Sequence, residues 1–193
     1  MKILLLGKNS FLANLIFEEI QKHWIEVELL SSREEESFYQ KFFEDWVEQD
    51  QKLVIVNFVG CWVFWTFDEL SWEQIDEGYR CNFKVPLQVI QIALKKVKKI
   101  GGVDELLIIN LNSTSALNNY PQGVAYASFK AALSRALGII EKEFKKYWVK
   151  VKEIFAPVIK SPWIDNMPYV PKKGVVEASK VIRDIVDMVL DWF

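Results

Sequence analysis

Asn112-Ser113-Thr114-Ser115, followed by Tyr126-Ala127-Ser128-Phe129-Lys130, is the stretch on which the reading of this chain turns. Tyr126 and Lys130 are four apart, so on a helix they stand one turn above each other on the same face. A phenol ordinarily titrates near ~10, too high for proton transfer at neutrality, and an ammonium fixed beside it favours the phenolate. Ser113 lies thirteen positions before Tyr126, past Leu106-Leu107-Ile108-Ile109, an apolar run that reads as a buried strand. A serine at the end of that strand and a tyrosine early in the next helix can grip one carbonyl oxygen from two sides. Tyr-x-x-x-Lys alone also fits an ordinary helix face. The serine spacing, the strand before it and Ala131-Ala132-Leu133 after the lysine therefore carry the weight.

The totals narrow the field. A chain of 193 residues is long enough for one domain, residues 1–193, with a sizeable core. Hydrophobic residues make up 51% and charged residues 26%, the balance of a soluble globular protein. A net charge of −2 gives no electrostatic reason to expect nucleic acid or an anionic membrane as partner. No apolar run approaches the ~20 residues of a membrane span. The opening Met1-Lys2-Ile3-Leu4-Leu5-Leu6-Gly7 is too short in its apolar part for a signal peptide, and no small-residue cleavage site follows. Cys61 and Cys81 lack metal-ligand spacing, so reduced thiols in a cytoplasm and no metal are expected. His23 is the lone histidine, which argues against His-based triads and most zinc sites.

Read in order, the chain alternates strands and helices. Lys2 to Leu6 is a strand-length apolar run stopping at Gly7, and from Leu12 the apolar positions fall at helical spacing. Strand, glycine turn and helix at this point open a dinucleotide-binding βαβ unit. Glu26 to Leu30 alternates like a second strand; an amphipathic helix is predicted over Ser37 to Gln49, and Leu53 to Val56 is the next strand. Cys61-Trp-Val-Phe-Trp-Thr-Phe67 leaves the carboxyl end of that strand, the side on which such sheets bind ligands. Its aromatics fit a wall of an apolar substrate pocket, packing under a shortened fold, or a partner surface. Ser71-Trp72-Glu73-Gln74 is a capping box for a helix running towards Arg80. A further helix reaches Lys95-Lys96-Val97-Lys98-Lys99, where cations complement the helix dipole, and Gly101-Gly102 ends it. The Tyr126 helix is predicted to run to about Tyr147, Val149 to Phe155 is a strand, and Glu177 to Phe193 a last amphipathic helix. Trp163 to Lys173 is too short for a full substrate lid.

The Ser113, Tyr126 and Lys130 spacing resembles the short-chain dehydrogenase/reductase family, and the likeness extends from Leu4 to about Leu190. Tyr79-Arg80-Cys81-Asn82-Phe83-Lys84-Val85-Pro86 is similar to the family segment carrying its active-site asparagine, which implies that Asn82 holds a water linking the lysine to solvent. Gly7-Lys8-Asn9-Ser10-Phe11-Leu12-Ala13 resembles the family's Gly-x-x-Gly-Phe-Leu-Gly turn, with Ser10 and Ala13 replacing two glycines; it reads as a phosphate cradle or as a plain turn. Ser10 puts a Cβ where the backbone approaches the pyrophosphate, although its hydroxyl can donate to a phosphate oxygen at a helix N-terminus. Asn57-Phe58-Val59-Gly60 resembles Asn-Asn-Ala-Gly, matching at Asn57 and Gly60. Pro157-Val158-Ile159-Lys160-Ser161 resembles the Pro-Gly-x-x-x-Thr loop that meets the nicotinamide, with Val158 replacing glycine. Ser31-Ser32-Arg33, with Lys8 nearby, looks like a 2′-phosphate pocket for NADP(H), with NAD(H) the alternative; the bland reading pairs Arg33 with Glu34-Glu35-Glu36.

The resemblance implies an α/β fold, a Rossmann-type doubly wound parallel sheet with helices on both faces. About five to six strands are expected, with a strand-helix unit lost between Arg33 and Asn57 and the last edge strand missing. It implies an oxidoreductase interconverting a small-molecule carbonyl and alcohol, with Tyr126 as general acid/base, Lys130 lowering its pKa, Ser113 polarising the oxygen and Asn82 in a relay. Thr114 and Ser115 are alternates for Ser113. A homodimer through the helices beginning near Asn82 and Tyr126 is implied by the same analogy. A fold retained as a binding scaffold is the alternative from another class, favoured by Ser10 and Val158. A nucleotide-sugar epimerase or dehydratase relative is suggested by Ser10-Phe11-Leu12, against the short Ser113–Tyr126 spacing.

Overall fold

The computed structural model describes residues 1–162, 164 and 174–192. Its organising element is a five-stranded, all-parallel sheet in the order β2-β1-β3-β4-β5, formed by β1 (Lys2–Leu6), β2 (Glu26–Leu30), β3 (Lys52–Asn57), β4 (Glu105–Ser113) and β5 (Val149–Ala156). β1, β3 and the first half of β4 are near-continuous apolar runs because both sheet faces are covered. Leu4, Leu6, Ile55, Leu106 and Ile108 face α2 (Glu36–Trp46), α4 (Val85–Lys99) and α5 (Val124–Glu143). Ile3, Leu5, Val54, Val56, Leu107 and Ile109 face α1 (Phe11–Gln21) and α6 (Ala178–Leu190). Helices thus cover both faces, as expected of the doubly wound class. β2 is joined to β3 by α2 alone, in keeping with the loss of a strand-helix unit.

Several boundaries differ from the sequence reading. α2 stops at Trp46, short of Gln49, because Val47 turns extended (φ −93°, ψ 117°) and buries its side chain in the core. α3 (Trp72–Tyr79) starts at the Ser71/Gln74 capping box, then widens into a π-turn over Arg80–Lys84 before α4 continues. Lys96 and Lys99, at the end of α4, reach Glu44 of α2 at 2.8 and 3.0 Å, so that basic run also ties two helices together. α5 ends at Glu143, and a 3-10 turn covers Lys145–Tyr147. Past β5 the chain forms an unanticipated two-residue parallel ribbon, β6 (Ile159–Lys160) with β7 (Val176–Glu177). The segment from Trp163 to Lys173, apart from Ile164, lies outside the described residues. Among the described residues no helix is long and apolar enough to cross a membrane.

Candidate active site

The parallel register sets the site. β1, β3, β4 and β5 all deliver their carboxyl ends to one edge, where Leu6 pairs with Asn57, Asn57 with Asn110, and Ser113 with Ala156. Ser113 ends β4 in an extended conformation, and its hydroxyl accepts from the Ser115 amide at 3.1 Å, closing a 3-10 turn over Thr114–Ala116. That bond leaves the hydroxyl proton free to point elsewhere. Tyr126 stands in the first turn of α5, close enough to the end of β4 for the Ser113 hydroxyl to act on the titration of its phenol. Of the two alternates to Ser113, Ser115 is buried and Thr114 half-buried.

Lys130 follows one helical turn on, 4% exposed, with Nζ donating to the Leu111 carbonyl at 3.3 Å and lying 6.0 Å from the centre of the Tyr126 ring. The spacing therefore places both groups on one face as expected. The electrostatic expectation is corrected. Burial pushes the Tyr126 phenol up to about 12, against the lowering effect of the Ser113 hydrogen bond. Lys130 is not among the causes of that shift, and burial lowers its own titration to about 8. Without its partners bound, the pair rests as a protonated phenol beside an amine poised near neutrality.

Asn82 is fully buried in the π-turn. Its amide donates to the carbonyls of Cys61 (3.0 Å) and Gly78 (3.1 Å), and its oxygen accepts from the Cys61 amide at 3.3 Å. The asparagine thus brackets the strand-end loop after Gly60. A Cβ on Gly60 would meet Asn82 Oδ1 at 2.9 Å and Lys130 Nζ at 3.2 Å, so Asn82 and Lys130 converge on this one glycine. The aromatic loop lies against Tyr126: Trp62 and Phe64 stack at 4.2 Å, each ring centre is 5.2 Å from that of Tyr126, and the Trp65 backbone amide donates to the Gln122 carbonyl just ahead of α5.

Beneath the site runs a buried polar row that the sequence reading met only at Asn57. Asn57 Nδ2 donates to Asn110 Oδ1 (2.8 Å), Asn110 to Glu153 Oε1 (2.8 Å), Asn112 to the same oxygen (2.9 Å), and Ser134 to Glu153 Oε2 (2.5 Å). The signal available in the sequence was Asn110 and Asn112 at alternate positions closing an apolar strand, which puts both on one face. The acceptor Glu153 is supplied by β5 and could not be paired with them from spacing.

Of the cofactor positions, Gly7 is required by its backbone: φ is +122°, and a Cβ would sit 3.2 Å from Phe58 Cβ. Ser10 has φ −79° and ψ 130°, open to any residue, and its Oγ caps α1 by accepting from the Ala13 amide at 3.5 Å. The serine thus substitutes for glycine without backbone strain and keeps a hydroxyl proton to donate. Lys8 and Asn9 are exposed, Phe11 is half-buried, and Leu12 packs into the core. The amides of Gly7 and Lys8 both donate to the Leu30 carbonyl at 2.8 and 2.9 Å, which brings this turn against the end of β2. Ser32 is half-buried there and Arg33 exposed, its amide held by Ser31 Oγ at 3.1 Å. Among the described residues Arg33 forms no ion pair, so the pairing with Glu34–Glu36 is not found. Phe58 and Val59 are buried beside Asn57, whose side chain accepts from the Val59 amide at 3.1 Å. Pro157, Val158, Ile159 and Ser161 follow β5, with Ile159 drawn into the β6–β7 ribbon and the Val158 carbonyl accepting from the Val176 amide at 2.9 Å.

The lysine carries a measurable cost. Its ordinary value is 10.5 and burial lowers it to about 8, so between those values the unfolded chain binds more protons than the folded one and stability rises with pH. Below pH ~8 the full cost applies, on the order of 3 kcal/mol. Lys130→Met removes the charge while forfeiting the bond to Leu111. Urea unfolding is expected to show a gain of ~1–2 kcal/mol at pH 7 that shrinks towards pH 10; a variant no more stable than the parent at pH 7 contradicts the burial argument.

Comparison with known proteins fits this geometry. Residues 1–168 match the short chain dehydrogenase family profile. An uncharacterised oxidoreductase of Thermotoga maritima is 27% identical over 101 residues, 52% of this chain and 39% of the relative, so the match spans about two fifths of that protein. A Listeria innocua protein of known structure superposes with a TM-score of 0.77 at 18% identity, over 97% of this chain and 92% of that one. ElxO with NADP bound superposes with a TM-score of 0.77 at 16% identity, over 95% and 89%. With the parallel sheet, the strand-end serine and the Tyr-x-x-x-Lys face already in place, this chain belongs to the short chain dehydrogenase family of oxidoreductases.

Proposed function

We propose that the protein is an NADP(H)-dependent oxidoreductase that interconverts a small-molecule carbonyl and its alcohol. One observation carries this reading: Tyr126 and the buried Lys130, one turn apart on α5 with Nζ 6.0 Å from the phenol ring, beside the strand end that bears Ser113. The nicotinamide, when bound, supplies the hydride. In the reductive direction Tyr126 gives its phenolic proton to the carbonyl oxygen as charge develops there, and Ser113 donates a hydrogen bond to the same atom. Lys130 returns a proton to the phenolate, its own titration near 8 matching that duty. Asn82 holds the Gly60–Cys61 backbone in place and is the relay residue through which the lysine communicates with solvent.

The cradle suits a dinucleotide. Gly7 leaves the turn open, the Ser10 hydroxyl and the free amides of α1's first turn face that turn, and Arg33 and Lys8 flank the end of β2 as exposed cations. Residues 57–60 and 157–161 would line the remaining length. Trp62 and Phe64 over Tyr126 favour a substrate with a flat or apolar flank.

A second reading, a binding or scaffold protein without turnover, draws on that same aromatic stack, which covers the Tyr126 ring, and on the high phenol titration. Val124 and Ile139, both about half exposed on α5 (47% and 49%), favour pairing of this helix with a second copy.

Three measurements test these statements. Tyr126→Phe is expected to cut kcat on an identified carbonyl ~10²–10⁴-fold while leaving NADPH affinity within about twofold; undiminished turnover removes the tyrosine from its role. Arg33→Ala should weaken NADPH ~10–100-fold in equilibrium titration with little effect on NADH. Equal losses for both overturn the 2′-phosphate assignment, and uptake of neither by the parent chain selects the scaffold. Light scattering at micromolar concentration should give twice the chain mass, and a monomer refutes the dimer.

A further inference from the structure

Outside the reaction site, the fold brings together a second set of chemically active groups. Cys61, Cys81 and Glu77 each direct one donor atom to a common point, all within 4.8 Å of one another. Glu77 and Cys81 are four apart on the continuous helix formed by α3 and its π-turn, so they share a face. Cys61 arrives from the loop after β3, the thiol of Cys81 lies 3.1 Å from Glu77 Oε1, and that of Cys61 lies 3.5 Å from the Glu77 carbonyl. No step of the reaction described above uses either sulfur.

We propose that these three residues form a binding site for a thiophilic divalent cation, zinc being the natural occupant. Two thiolates select a borderline-soft metal over magnesium or calcium. Tetrahedral zinc, with Zn–S ~2.3 Å and Zn–O ~2.0–2.2 Å, sets its donor atoms ~3.5–3.8 Å apart, so the wider spacings here need close by no more than ~1.3 Å while the 3.1 Å Cys81–Glu77 pair opens by ~0.5 Å. Charge also balances. Two thiolates and one carboxylate carry three negative charges, which Arg80 and a divalent cation neutralise. Arg80 Nε holds Glu77 Oε2 at 2.7 Å, which leaves Oε1, already beside Cys81, as the metal-facing oxygen; its Nη2, now 2.8 Å from Oε1 and 3.4 Å from Cys81 Sγ, gives way to the metal. Cys61 and Glu77 line a surface cavity of about 310 Å³ together with Val63, Glu73 and Gln74, which supplies an entry path and room for water as the fourth ligand. Each thiol loses its proton to solvent on binding, with no change of oxidation state. Occupancy pins the Gly60–Cys61 turn to α3, and with it the start of the loop that lays Trp62 and Phe64 over Tyr126.

The test uses the full chain, reduced with a phosphine and stripped with chelator, titrated with cobalt(II) and then zinc(II). One cobalt per chain is expected, with a thiolate-to-cobalt charge-transfer band and tetrahedral d–d bands that zinc abolishes. Cys61→Ser and Cys81→Ser should each lose the charge-transfer intensity of one thiolate or the binding itself. Glu77→Gln should bind on the order of 10–100-fold more weakly, at least the loss that a supporting group alone produces. Should the variants fail to fold, alkylation of the parent chain still decides: zinc should protect both cysteines from iodoacetamide together. No stoichiometric uptake by the reduced chain overturns the proposal, whether or not a Cys61–Cys81 disulfide forms in air. So does a cobalt spectrum unchanged by loss of either thiol.

Discussion

An ammonium group held out of water is the constraint around which this molecule is arranged. Lys130 is 4% exposed, its Nζ donates to one carbonyl, and the chain beside it is Gly60, where a Cβ would come 3.2 Å from Nζ and 2.9 Å from Asn82 Oδ1. That closeness fixes three elements relative to one another: the end of β3, the π-turn bearing Asn82, and α5. The π-turn is part of the device. Asn82 sits within it, donating to Gly78's carbonyl one turn back and reaching both the carbonyl and the amide of Cys61. The cost of burying the lysine is borne because these neighbours over-determine its position.

The sheet below is stiffened by the polar row across β3, β4 and β5. Asn57, Asn110 and Glu153 are register partners, so their side chains stand on one face in adjacent strands. Each donor in the row has its acceptor, and Ser134 of α5 closes it from above. A buried polar network of this kind, fully satisfied, rigidifies the place it occupies. Here that place lies directly under Ser113 and Lys130, whose relative position decides whether one oxygen can be held from two sides.

Periodicity and glycine were enough to read the five sheet strands and the main helices, but not the β6–β7 ribbon or the π-turn, which carry no periodic signal. Gly7 was legible from the strand that stops at it and the helix that follows, whereas Asn82 and Gly60 stood out only through the family resemblance of the segments that carry them. Spacing placed Tyr126 and Lys130 on one face. It could not say that desolvation would outweigh charge coupling, since that depends on what covers α5. Glu153 was invisible for a different reason, because strand register is a tertiary quantity. The convergence of Cys61 on Cys81 escaped for the same reason, being set by how the β3 loop folds back onto a helix twenty residues later.

The shortened connection between β2 and β3 explains how a reduced chain keeps its crevice. The dinucleotide fold's usual order places further strands beyond the second; removing one strand-helix unit leaves the order β2-β1-β3-β4-β5, which still reverses direction between β1 and β3. The ligand crevice of a doubly wound sheet belongs to that reversal point, where Gly7 of the β1 loop lies so near the β3 loop that a Cβ on it would come 3.2 Å from Phe58 Cβ. The loss falls on the outer edge, where β2 now ends the sheet with Glu26 and Glu28 exposed, charges that discourage a further strand from pairing. Trimming at that edge spares every residue assigned to the reacting oxygen, all of which come from β4, α5 and the β3 loop with its helix. What it exposes is the end of β2 carrying Ser32 and Arg33, so the part of the cradle altered by shortening is the one that would distinguish the two nicotinamide cofactors.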